Sequence, residues 1–159
     1  MPKFTIEAVG DRQLVITREF DAPRDLVFLC YSRPELMRRW YGLPDWEMTV
    51  CDIDFRVGGK WRFVSKSPSG YEMASQGVYT EIAEPERIGQ TEIFDDDWTG
   101  GETTVVLDLN ESGGRTTSVT TVTYSSPEAR AAAAATPMAD GMEIGFKRLD
   151  TVLAEEQVG

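Results

Sequence analysis

Hydrophobic and polar positions divide the chain into a long run of alternating patterns and one closing stretch of helical pattern. From Phe4 to Phe20 the residues are rich in Ile, Val, Leu and Thr, with Gly10-Asp11 interrupting them as a turn. In the second half Leu14, Ile16, Arg18 and Phe20 alternate with Val15, Thr17 and Glu19, the period of a half-buried strand. Ala22-Pro23 ends that strand and opens a short helix with Pro23 at its first position, carrying Leu26, Val27, Cys30 and Tyr31 on one face. Ser32-Arg33-Pro34 breaks it and starts a second helix, striped by Leu36, Met37 and Trp40 and stopped at Gly42-Leu43-Pro44.

About six strands follow. Glu47 to Phe55 leads into Val57-Gly58-Gly59-Lys60, where two glycines suit a tight hairpin turn with positive φ. Trp61 and Phe63 then alternate with Lys60, Arg62 and Ser65, an aromatic face against a solvated one. Beyond the turn Ser67-Pro68-Ser69-Gly70, Tyr71 to Ile82 reads as a strand interrupted at Gly77 in the manner of a bulge. Ala83 to Glu86 turns the chain into Arg87 to Phe94, and Asp95 to Gly101 is an acidic loop. Thr103 to Leu109 and Arg115 to Tyr124 make the last hairpin, across Asn110 to Gly114.

The stretch from Ser126 to Glu156 has the other period. Ser126-Pro127-Glu128 is a helix start: a hydroxyl cap, proline at the first position, an acid in the first turn. Thr136-Pro137 repeats the cap-plus-proline signal, which predicts two pieces with a bend at Pro137. In the second piece Met138, Met142, Phe146, Leu149 and Leu153 recur at spacings of three and four, with Asp140, Glu143, Lys147 and Asp150 between them. Strands in series with helices segregated outside them imply an α+β fold, a curved antiparallel sheet covered by its one long helix.

Composition narrows the partners. At 159 residues the chain is expected to be one domain, residues 1–159, with an ordinary globular core at 41% hydrophobic content. The net charge of −11, from 16 basic and 27 acidic residues, is wrong for docking on phosphates or anionic lipid, so neither nucleic acid nor membrane is an expected partner. Met1-Pro2-Lys3-Phe4 lacks the apolar core of a signal peptide, and the cytoplasm is the expected location. Cys30 and Cys51 are expected to be reduced structural thiols.

Catalytic chemistry is sparsely represented. The chain has no histidine, which removes the commonest general base and metal ligand. Gly58-Gly59 and Gly113-Gly114 sit in hairpins rather than before helices, so they make no phosphate or dinucleotide loop. Asp52 and Asp54 share a strand face as a conceivable acid–base pair, although pairing with Arg56 or solvation explains them more cheaply. Asp95, Asp96 and Asp97 could hold a hard cation, against the plainer reading of a solvated loop. No metal and no cofactor is expected.

Several local motifs, in order and spacing, resemble a known family. They are Arg18-Glu19-Phe20-Asp21-Ala22-Pro23 before the first helix, Arg39-Trp40-Tyr41-Gly42 after the second, and Asp54 to Trp61 around the Gly-Gly hairpin. Gln76-Gly77-Val78-Tyr79, Glu84 to Ile88, and Ser126 to Arg130 with Met138 to Leu153 complete the set. Together they resemble the activator of Hsp90 ATPase homologue 1-like family in its bacterial branch, of the START-like (Bet v 1-like) helix-grip superfamily. The resemblance covers about Val15 to Ala154 and rests on structural rather than catalytic residues.

A helix gripped by a curved sheet often leaves space between the two, a natural small-molecule site. The expected lining is Trp40, Trp61, Phe63, Tyr79 and Phe94 with Met138, Met142 and Phe146, the methionines being able to repack around differing guests. The leading expectation is a non-catalytic binder, monomer or homodimer, of a hydrophobic or aromatic molecule such as a lipid or polyketide-like compound. The resemblance also implies two alternatives. One is a chaperone-interacting protein of the Hsp90 ATPase activator type. The other is a cyclase- or hydrolase-like enzyme on aromatic substrates, using Tyr79, Asp52 or Asp54, and Arg56.

Overall fold

A computed structural model of the protein describes residues 4–96 and 100–158. The elements run β1 (Phe4–Val9), β2 (Gln13–Phe20), α1 (Arg24–Ser32), α2 (Pro34–Trp40), β3 (Glu47–Ile53), β4 (Lys60–Lys66), β5 (Glu72–Ala83), β6 (Arg87–Phe94), β7 (Thr103–Ser112), β8 (Arg115–Thr123), α3 (Pro127–Ala134) and α4 (Met138–Val158). All eight strands form one sheet in the order β1-β2-β8-β7-β6-β5-β4-β3, antiparallel throughout. Every neighbouring pair is sequential in the chain except β2 and β8. The α1–α2 corner carries the chain from β2 to the far edge at β3, and β8 returns to pair with β2.

The inward face of the sheet is the apolar one read from the alternation. Leu14, Ile16 and Phe20 on β2, Trp61 and Phe63 on β4, and Leu107 and Leu109 on β7 are all buried. From the other side α4 contributes Phe146, Leu149, Val152 and Leu153, so sheet and helix share one core. This is the helix-grip architecture.

Three contacts fix how α4 lies. Arg18 on β2, only 4% exposed, donates two parallel bonds to the Asp150 carboxylate at 2.8 and 2.7 Å. Its guanidinium also stands 5.0 Å over the Phe20 ring and 5.6 Å over Phe146. Arg148 donates to the Gly42 and Arg39 carbonyls at 2.9 and 3.2 Å, satisfying acceptors that α2 leaves open at its C-terminal end. At Gly145 an added Cβ would come 3.8 Å from the Trp40 carbonyl, an ordinary contact distance that places α4 directly against the end of α2.

Several local expectations need correction. Pro23 is the residue before α1, not its first position, because its carbonyl already accepts from Leu26 and Val27. Ser126 caps α3 as expected, accepting from the Ala129 amide at 3.0 Å. Thr136 does not cap α4; its hydroxyl donates back to the Ala133 carbonyl at 2.6 Å and so closes α3. In the β3–β4 hairpin Gly58 has a positive φ of 85°, whereas Gly59 is required because a Cβ there would fall 1.9 Å from the Asp54 carbonyl. The β7–β8 turn is tighter than the sequence suggests, with strand pairing continuing to Ser112 and Arg115 around Gly113-Gly114. At Gly77 β5 is unbroken, and its register shift falls further on, between Tyr79 and Glu81.

Candidate site beneath the long helix

Five of the eight residues expected to line a cavity fall into three aromatic groups rather than one. Trp40, Phe63 and Trp61 belong to a continuous ladder: Tyr31–Trp40 at 4.9 Å between ring centroids, Trp40–Tyr41 at 5.7 Å, Tyr41–Phe63 at 5.1 Å and Phe63–Trp61 at 4.8 Å. Tyr79 instead meets Phe55, which meets Phe28, near α1. Phe146 meets Phe4 and Phe20 on the β1–β2 side. Trp40, Trp61, Phe63, Tyr79 and Phe146 are buried. Phe94, Met138 and Met142 remain partly exposed, the two methionines packed against the edge of the core.

The ladder ends at a row of residues crossing the sheet. Trp61 on β4 stands opposite Gly77 on β5. Ser75 pairs with Phe94 and Gln76 with Ile93, and this register sets Gly77 opposite Glu92 on β6. Glu92 pairs with Thr103 on β7, and the pairing of Thr104 with Thr123 sets Thr103 opposite Tyr124. Residue 77 must be glycine, since a Cβ would lie 1.9 Å from the Thr91 carbonyl and 2.8 Å from the Trp61 indole nitrogen.

Glu92 is the feature that the sequence reading missed. It shares parity with Ile88, Gln90 and Phe94 on the inward face, so a carboxyl sits among the residues that face the core. Desolvation pushes its pKa up to about 7. It lies close enough to act electrostatically on the Tyr41 and Tyr124 hydroxyls, whose ionisation is shifted upward chiefly by burial. The strand's alternation carries this signal: Ile88, Gln90, Glu92, Phe94 puts a charge within the inward set.

Hydrogen bonding around the row is incomplete. The Trp40 indole N–H donates to the Cys30 carbonyl at 2.9 Å, but the buried Trp61 Nε1–H has no acceptor. Of the polar side-chain groups in this region only Trp61 Nε1 is both fully buried and unpaired; the Glu92 carboxyl and the Tyr41 and Tyr124 hydroxyls make no side-chain hydrogen bond among the described residues. A perturbed carboxyl among unpaired polar groups on a covered apolar face is the kind of cluster that marks a binding site.

The remaining candidate chemistry is accounted for by ordinary surface pairing. Asp52 is exposed, and Asp54 lies beyond the end of β3, paired with Arg56 at 2.9 Å. Asp95 pairs with Arg62 at 3.0 Å, which holds its carboxyl below the usual range, and Asp96 accepts from the Tyr71 hydroxyl. Asp97 lies outside the described residues. No group of three metal-ligating side chains occurs among the described residues. Cys30 and Cys51 are free and buried, with desolvation pushing the Cys30 thiol up to about 11. Two outer hollows, of about 190 Å³ beside the β1–β2 turn and about 280 Å³ between Arg39 and Arg148, contain none of the eight expected residues.

Fold and site together define a START-like helix-grip protein. The activator of Hsp90 ATPase homolog 1-like family model matches residues 21–154, and the chain belongs to that family. A crystal structure of a Rhodobacter sphaeroides protein is 33% identical, with a TM-score of 0.91 over 96% of this chain and 99% of that one. A Mycobacterium smegmatis protein is 26% identical, with a TM-score of 0.83 over 95% and 97% of the two chains. The AHSA1 protein of Silicibacter pomeroyi, 23% identical over 91% and 99% with a TM-score of 0.72, shares the fold. None of the curated proteins compared with the chain matches it. Family and fold support a role in small-molecule binding or chaperone association in general. No described helix is long and apolar enough to cross a membrane.

Proposed function

We propose that the protein binds a hydrophobic or aromatic small molecule, without transforming it, between the inward face of the sheet and the first turns of α4. The observation that carries this reading is incomplete burial of apolar side chains at one end of the inward face. Phe94, Met138 and Met142 keep accessible surface while Trp61, Phe63 and Leu149 are closed off. Apolar side chains that a long helix covers but does not fill are favourable contacts for a guest. Methionines at that end of the helix adapt to its shape at little cost.

Intrinsic tryptophan fluorescence and melting temperature, followed across a panel of planar aromatic and fatty compounds, test the reading. Trp40 and Trp61 lie in the ladder that borders the site, so a bound guest is expected to change emission and raise the melting temperature together. A panel that changes neither sinks the proposal.

A further inference from the structure

The row that crosses the sheet beside the aromatic ladder has a chemical bias of its own. Trp61 is 1% exposed and can only donate, and its N–H has no acceptor. The Tyr41 and Tyr124 hydroxyls have no partner among the described residues and resist ionisation, so both retain their protons. Glu92 stands in the same cross-sheet row as Trp61 and Tyr124, two strands from each. Every one of these groups can donate a hydrogen bond, and none has a protein acceptor to receive it.

We propose that Trp61, Glu92, Tyr41 and Tyr124 form the polar end of the binding site and receive the carbonyl oxygen of a neutral, otherwise apolar ligand. The inference rests on the small-molecule reading above and specifies its ligand class. Burial holds the Glu92 proton up to a pKa of about 7, so below neutrality the carboxyl is a donor rather than a charge. The titratable groups that Glu92 acts on are Tyr41 after α2 and Tyr124 after β8, whereas its own shift comes from burial alone. The strands on either side present Ser75, Gly77 and Tyr79 on β5 and Thr103 and Val105 on β7, and Thr103 already donates to the Glu92 backbone carbonyl. A net charge of −11 further disfavours an anionic head group.

The test compares 2-acetylnaphthalene with 2-isopropenylnaphthalene, which replaces the carbonyl oxygen by a methylene of similar shape. The ketone is expected to bind roughly tenfold more tightly at pH 6, the scale of one or two hydrogen bonds to otherwise unpaired donors. That preference is expected to fall several-fold by pH 8 as Glu92 ionises. In Glu92→Gln, whose amide donates but does not titrate, the preference persists at pH 8. In Trp61→Phe it shrinks while the hydrocarbon still binds, which separates a lost donor from a damaged fold. Equal affinity for the two compounds, a preference that rises with pH, or tighter binding of 2-naphthylmethylammonium overturns the polar end while leaving the apolar site standing. Binding of neither naphthalene overturns the apolar site, and the polar end with it.

Discussion

Two inward-facing charged residues, Glu92 and Arg18, carry opposite consequences for stability. Glu92 holds its proton more tightly when folded than the ordinary glutamate value of 4.5, up to about 7. Below that ordinary range both folded and unfolded chains are protonated there and the residue costs nothing. As pH rises towards 7 the unfolded chain ionises first, so stability is lost across this window. Glu92→Gln is therefore expected to melt with the parent near pH 4.5 and to be more stable at pH 8, by about 1–3 kcal/mol. A difference unchanged between those pH values would show that the carboxyl is solvated. Arg18 is the paired case, held by both oxygens of Asp150. Asp150→Ala leaves the guanidinium buried and unpaired, with an expected loss of about 3–5 kcal/mol by denaturant unfolding.

At the scale of elements, the β5–β6 pair and the α3 cap are the sharpest tests. Gly77→Ala drives a methyl into the Thr91 carbonyl, and relief requires the two strands to part where Glu92 sits. The expected cost is about 2 kcal/mol or more, together with an altered Trp61 emission. Ser126→Ala removes one bond to the Ala129 amide and is expected to cost about 1 kcal/mol with the fold intact. The element order was legible because each strand alternates cleanly and each short helix carries its own stripe. Element ends were less so. Thr136 shows why: a hydroxyl before proline can cap forward or bond backward, and the choice depends on how α3 finishes.

Across the whole molecule, α4 closes the sheet together with α1 and α2, and its hold comes from far-apart residues: Arg18 with Asp150, Arg39 with Glu155 and Glu156, Arg148 with Gly42. Ending the chain after Thr136 removes Phe146, Leu149, Val152 and Leu153 from the core. Such a chain is expected to lose its cooperative thermal transition and to bind a hydrophobic dye, which circular dichroism and dye fluorescence would report. Cooperative melting without the helix would mean that the sheet folds by itself.

The sequence by itself determined the class of fold, the order of its elements and the aromatic inventory of the inner face, because these follow from periodicity, caps and turn residues that act locally. It also excluded histidine chemistry outright. Only the tertiary structure decided how that inventory is divided. Register across β4 to β8 set Trp61, Gly77, Glu92, Thr103 and Tyr124 in one row, and burial turned a surface-type glutamate into a proton-holding one. Desolvation and unpaired hydrogen bonds belong to the space between strands and helix, and no stretch of chain contains that space until it is folded.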